Sequence, residues 1–373
     1  MDNPVLSFYT YDLEYIGTIG TYTSLQWENK MHSAGDIEIH IPIPYFNILG
    51  STVSLDCFVK IERGVKEAYG VIHYIELSED GTGKEECTIK GKTLSYLWSW
   101  RTPSLRYADE YASGSIKITK RNAFANFQTI TESSYRVPGQ SQFVDNLKFW
   151  DGITYVDKTD GSMYGFESSI SDTHSILENY CKGAGLGYYC VPNVLSSGTK
   201  MIITVYTPQD NNRAIFDFAR GNISKLTYSR ANDGEKNGYY YLKKNENNII
   251  ENGKVVTTYN YDNILSNIGS RPKIVYCGSF ESVEEAAAEG KKKMTDLTAT
   301  ESADGEIEIK YYDYIDDFNV GDIVTVAHSE WGISFKKVIY SVKETWENTY
   351  KCTATFGEPQ DIVYKKLKKQ LGR

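Results

Sequence analysis

Asp172 and His174 stand two residues apart, the kind of spacing an acid–base pair or part of a metal site could use. Both fall where a helix is expected to begin, running from Asp172 or Thr173 to Lys182. N-capping accounts for the aspartate without any ligand. Asp316-Asp317 offers two carboxylates, the equipment of a glycosidase. Neighbours on a strand point to opposite sides, and a solvated turn before Val320-Gly321-Asp322 accounts for the pair. Asp157-Lys158-Thr159-Asp160-Gly161 has calcium-loop residues but neither the ligand spacing nor the closing glutamate of an EF-hand. Gly183-Ala184-Gly185-Leu186-Gly187 follows a helix and precedes a strand, the reverse of the order that cradles a dinucleotide. Gly183 reads instead as a helix C-cap. His40 and His73 lie in expected strands. H-E-x-x-H, G-x-S-x-G and G-x-x-x-x-G-K-[ST] do not occur. The residues therefore assign no catalytic, cofactor-binding or metal site, and no cofactor.

Composition points the same way. The 373 residues carry a net charge of −9, which argues against a nucleic-acid grip built on Lys and Arg. Thirty tyrosines favour strands and half-buried sheet surfaces, and no Trp/Tyr cluster suggests a sugar platform. The six cysteines (Cys57, Cys87, Cys181, Cys190, Cys277, Cys352) show no C-x-x-C pairing and read as buried thiols in a reducing cytoplasm. Met1-Asp2-Asn3-Pro4 lacks the basic and apolar regions of a signal peptide, and no apolar run approaches the ~20 residues of a membrane span. No stable membrane insertion is expected.

The elements follow from hydrophobic period. Asp36 to Ile43 alternates strictly, with Ile37, Ile39, Ile41 and Ile43 on one face and Pro42 near its end. Val53, Leu55, Cys57, Val59 and Ile61 form a second alternating face; Val71, His73, Ile75 and Leu77 form a third. The Asp80-Gly81 turn leads to a strand around Cys87-Thr88-Ile89. Ala123, Phe124, Phe127 and Ile130 have helical spacing. Strands are expected at Tyr188–Val191, at Met201–Tyr206 and again from Ile215 to Tyr241. Ser282 opens a helix with Glu285 as capping box, a stripe of Val283, Ala287, Gly290, Met294 and Leu297, and Lys291 to Lys293 late. A last helix from Pro359 carries Val363, Leu367 and Leu371 beside Lys365, Lys366, Lys368 and Lys369.

The first and last β-regions repeat one another. Gly35-Asp36-Ile37-Glu38-Ile39 echoes Gly305-Glu306-Ile307-Glu308-Ile309, and Val53 to Cys57 sits where Gly321 to Val326 sits later. Val71 to Ile75 matches Val338 to Val342, and Cys87 to Gly91 matches Cys352 to Gly357. The order is kept, and the separation is far beyond a solenoid's ~20–50-residue period. The expected fold class is mainly β with α+β insertions: two tube-like antiparallel β-barrel or sandwich domains plus inserted α+β domains. The expected boundaries are 1–101 for the first tube-like domain and 102–214 for an inserted α+β domain. Residues 215–242 with 300–358 form the second tube-like domain, 243–299 an insertion with hairpin and helix, and 359–373 a C-terminal helix.

The ordered segments Ser24-Leu25-Gln26-Trp27, Gly35 to Ile39, Ile41-Pro42, Gly70-Val71-Ile72 and Gly91-Lys92-Thr93-Leu94 with Arg101 resemble the opening domain of phage tail-tip hub proteins, of the siphophage type related to contractile-tail hubs. Gly221-Asn222-Ile223, Asn237-Gly238-Tyr239, the helix from Ser282, Phe318 to Val324 and Thr355-Phe356-Gly357 follow in the family's order. The resemblance implies a homotrimer in which two β-domains per chain make a pseudo-six-fold ring. Such a ring joins the six-fold tail tube and distal tail protein, with the tape measure protein, to a three-fold spike, fibre or separate lysin. It implies a structural, non-enzymatic role in the virion tail tip, without specific nucleic-acid binding. Many relatives carry wall-cutting or host-binding extensions beyond the hub portion. The alternative is a tail-associated peptidoglycan hydrolase or carbohydrate-binding tip protein with an unfamiliar carboxylate arrangement. A prophage remnant, a tail-like bacteriocin and a contractile injection system fit the same chain.

Overall fold

The structure, a computed structural model, describes residues 3–64, 66–103, 110–112, 115–135, 153–169, 171–192, 201–231, 238–244, 250–258, 272–276, 300–308 and 311–357. The expected helices from Ser282 and from Pro359 lie outside them. The chain forms two compact units, Met1–Leu226 with Asp304–Phe356, and Thr227–Ala303 with Gly357–Arg373.

The chain opens with β1 (Val5–Tyr9), β2 (Tyr15–Ile19), β3 (Ser24–Lys30), β4 (Asp36–Pro42), helix α1 (Ile43–Phe46), β5 (Phe58–Arg63), β6 (Lys66–Glu79) and β7 (Glu85–Thr93). It continues through β8 (Glu110–Ala112), β9 (Ser115–Asn122), α2 (Ala123–Glu132), β10 (Ile153–Lys158), β11 (Met163–Ser169), α3 (Thr173–Ala184), β12 (Gly187–Pro192) and β13 (Met201–Tyr206). β14 (Gln209–Asp217) and β15 (Ile223–Ala231) follow. In the second unit, β16 (Gly238–Lys244) pairs antiparallel with β17 (Ile250–Thr258) and parallel with β18 (Pro272–Tyr276). β19 (Thr300–Ile307), β20 (Asp322–His328), β21 (Ile333–Trp346) and β22 (Tyr350–Phe356) complete the strands. The chain is mainly β, as its composition predicts.

Two strand sets in one large sheet share an order. The first runs β3-β4-β7-β6-β5-β1, and the second runs β15-β19-β22-β21, with β20 beside β21 and β14 beside β20. The match reaches single residues. β6 has a bulge between Ile72 and Tyr74 against β7, and β21 has one between Ile339 and Ser341 against β22. Asp56 (φ 66°) and Gly321 (φ 93°) both take the left-handed conformation. Their N–H groups donate to Ile72 O at 2.8 Å and to Ile339 O at 2.9 Å. Bulges and left-handed elbows are positional devices that chance strand likeness does not reproduce together. The sets differ at one edge, where β1 is antiparallel to β5 and β14 is parallel to β20.

This registration corrects two of the sequence matches. Cys87 and Cys352 occupy equal places, opposite Leu77 and Glu344. Asp56 rather than Val53, however, corresponds to Gly321. Asp304 rather than Glu308 reaches Thr355 (2.6 Å), whose counterpart Lys90 stands opposite Glu38. The strand alternation is corrected in three places. Ile43 opens α1 behind Pro42, because proline cannot continue the ladder. Leu55 is exposed and the strand begins only at Phe58, after the Asp56 elbow. The bulge between Ile72 and Tyr74 breaks the alternation, so that Val71 and Ile75 pack on cores on opposite faces of the sheet and His73 is exposed.

One of those cores is the interior of the first β-domain, built from Leu6, Phe8, Leu25, Trp27, Ile37, Ile39 and their neighbours. Trp346 from β21 is part of it. The other core joins Phe58 and Val71 to the inserted α+β region, where Phe127, Ile130, Leu177 and Tyr180 of α2 and α3 pack on Tyr188, Ile203 and Val205 of β12 and β13.

Candidate functional site

The residues singled out for chemistry make the following contacts. Asp172 accepts hydrogen bonds from the Ser175 N–H (2.9 Å) and hydroxyl (2.7 Å), capping α3. The Nε2 of His174 accepts the Ala34 N–H at 3.1 Å, and burial holds its pKa below the ordinary histidine value, which keeps that lone pair available. α3 ends at Gly185 (φ 68°) rather than at Gly183, which lies inside the helix against Tyr164. His40 bridges Glu38 (2.9 Å) and Glu86 (3.1 Å) on a charged sheet surface, and His73 lies beside the Tyr96 ring. Asp157 and Asp160 cap their own turn through Thr159 and Ser162. Asp316 pairs with Lys66 (3.1 Å), and Asp317 accepts the Asp313 N–H (2.7 Å). Cys57, Cys87, Cys181 and Cys352 are buried free thiols; burial raises Cys87 to about 11 and Cys190 to about 12, so neither is a thiolate at neutral pH. Cys277 lies outside the described residues. Among the described residues no cluster of three or more His, Cys, Asp or Glu side chains could hold a metal, and no helix is long and apolar enough to cross a membrane.

The residues that do converge form a joint between the two β-domains. β3 lies antiparallel on the outer half of β21, from Ser341 opposite Lys30 to Trp346 opposite Leu25. The ladder makes one sheet of two domains. Trp27 stacks on Trp346 with ring centres 6.3 Å apart and planes 20° apart. Beneath them lies a charge network. Arg63, on the β5–β6 hairpin, reaches Glu344 and Asp313, each at 3.2 Å. Its guanidinium lies over the rings of Trp346 (5.8 Å) and Tyr350 (5.4 Å). Lys66 reaches Asp313 (2.9 Å), Asp316 (3.1 Å) and the carbonyl of Tyr314 (2.7 Å). Tyr350 donates to Glu344 at 2.6 Å, and Asn29 donates to the Tyr314 hydroxyl at 3.0 Å.

Burial pushes the Glu344 carboxyl above its ordinary range even though Tyr350, Arg63 and Lys66 all favour its ionised form. Burial acts to lower Arg63, and Glu344, Tyr350 and Asp313 together outweigh it, so the guanidinium stays charged. A buried pair of this kind fixes geometry more than it adds stability. Every carboxylate in the network has a cation or a hydroxyl beside it, so the arrangement clamps two domains. The sequence carried one signal of it: Glu344 occupies the inward phase of Val342, Glu344 and Trp346, where a charge demands a partner.

Residues 5–104 match the family described as Siphovirus ReqiPepy6 Gp37-like protein. No curated protein sequence matches the chain. Among solved structures, a tail protein from Neisseria meningitidis MC58 shares 10% identity at a TM-score of 0.61, over 95% of this chain and 97% of that one. The 43 kDa tail protein of prophage MuSo2 from Shewanella oneidensis shares 12% at 0.59, over 95% and 99%. The prophage tail protein gp18 from Listeria monocytogenes EGD-e shares 10% at 0.56, over 99% of both chains. The chain therefore has, over nearly its whole length, the fold of phage tail proteins, and its first domain matches the Gp37-like siphovirus family.

Proposed function

We propose that the chain is the structural hub of a phage-type tail tip. Three copies close into a ring of six similar β-domains, joining the six-fold tail tube and distal tail protein to a three-fold tip. The observation that carries this reading is the internal pair of β-domains, equal in strand order, bulge and elbow, fused side by side in one sheet. A chain with two equivalent units around an axis needs three copies to present six, and cyclic rings close through head-to-tail contacts. The tape measure protein meets the ring from the tube side, and a spike, fibre or separate lysin from the other. The hub works by assembly and not by catalysis. Quantitative mass spectrometry of purified particles tests this reading. Three copies per particle are expected; six copies, or absence from the particle, would overturn it. Release of reducing sugar or free amine from host cell walls by the purified chain would contradict the non-enzymatic role.

A further inference from the structure

The joint inside the chain has a counterpart with one half missing. β6 and β21 are each 14 residues long and are paired the same way, the first half to the preceding strand and the second half to the following one. Along Ser341–Trp346 the other side of β21 is taken by β3. The corresponding stretch of β6, Tyr74–Glu79, has β7 on one side and, among the described residues, no strand on the other. The difference shows in exposure. Glu344 is 1% exposed and Ser341 5%, whereas their counterparts Leu77 and Tyr74 are 62% and 41% exposed. An open strand edge with large apolar side chains invites another strand, and soluble proteins usually cover or charge such edges.

The missing half stands at the end of the sheet. β15 occupies in the second domain the place of β3 in the first, beside β19 as β3 is beside β4. Its other side has no described partner strand. We propose that β15 of one copy adds antiparallel to Tyr74–Glu79 of β6 in a second copy, repeating between chains the β3–β21 joint within one. The proposal rests on the ring reading and supplies its contact. The charges fit, with their signs exchanged. Within the chain Lys343 of β21 faces Glu28 of β3. In β6 the place of Lys343 is taken by Glu76, with Glu79 three residues on, while β15 carries Arg230 and Lys225, which is exposed and bonds Glu306 within the chain at 3.0 Å. Opposite charges across a ladder stabilise it and like charges oppose it. β15 therefore suits β6 of a neighbour, which favours a head-to-tail ring.

The test uses the full chain, mixed as equal parts unlabelled and isotope-labelled copies, with a benzophenone side chain replacing Leu77. After irradiation, cross-linked peptides are mapped by mass spectrometry, and association is followed by sedimentation over a concentration series. Mixed-isotope links from position 77 to the peptide containing Ile223–Ala231 are expected. Leu77→Lys is expected to weaken association at least tenfold without lowering the melting temperature of the monomer, since burying an unpaired charge opposes pairing. A trimer whose links fall elsewhere, or whose association Leu77→Lys leaves unchanged, overturns the joint and leaves the ring reading standing. A chain that stays monomeric throughout overturns the ring and the joint together.

Discussion

Replacing Arg63 by alanine tests whether the charge network clamps the two β-domains. The Arg63 and Glu344 side chains are only 7% and 2% exposed, and their charged atoms lie 3.2 Å apart. At an effective dielectric of about 20, that contact is worth roughly 5 kcal/mol before desolvation. Tyr350 still donates to Glu344 in the variant, and the carboxyl can escape by taking up a proton, so the net loss expected at pH 8 is about 3 kcal/mol. The pH dependence carries the sign. A carboxyl whose folded pKa is raised contributes stability in full below its unfolded value, and loses it as pH rises through the folded value. Glu344 is already raised by burial, and loss of Arg63 raises it further, so the variant should suffer more at pH 8 than at pH 5. Urea unfolding at both pH values, followed by the near-ultraviolet signal of the stacked Trp27 and Trp346, measures this. The double variant Arg63→Met with Glu344→Met should recover most of the loss, because it removes the orphaned charge together with its partner. A cost below about 1 kcal/mol for Arg63→Ala, or a double variant no better than the single, would refute the reasoning.

Three further outcomes follow from the same geometry. Gly321→Ala should lose about 2 kcal/mol or more, read as a lower melting temperature, because its φ is 93° and a Cβ there would overlap the Tyr206 ring. Asp172→Ala should cost about 1 kcal/mol through loss of the α3 cap, and Asp172→Ser should restore most of it. In the assembled ring, the axis-facing surface should be net negative, so that DNA passes without being held. A positive channel wall in the potential of a solved ring would contradict that.

The legible part of the fold was whatever depends on local period. The isoleucine face of β4, the spacing of α2, the Asp172 cap and the Cys-Thr pairs within β7 and β22 were all readable, because side-chain alternation and capping act within a few residues. Illegible was everything set by a single backbone exception. The Asp56 elbow moved the start of β5 past Leu55, and the bulge after Ile72 sent Val71 and Ile75 to different cores. Neither residue type announces such a turn, and so two of the four repeat matches were placed a few residues out of register. The joint itself was harder still. Arg63, Lys66, Asp313 and Glu344 are brought together by the β3–β21 ladder, a pairing between distant segments that no local pattern encodes. Only the inward phase of Glu344 hinted at it, and it becomes informative once β6 and β21 are laid over one another.

The central claim is that two equal β-domains per chain make six around an axis. Electron cryomicroscopy of the tip of a particle carrying this chain tests it most directly. A ring of six similar β-domains contributed by three copies is expected, in which β3–β21 joints within chains alternate with β15–β6 joints between them. A tip with six copies of the chain, or with the two β-domains of one copy at different heights along the axis, would contradict it.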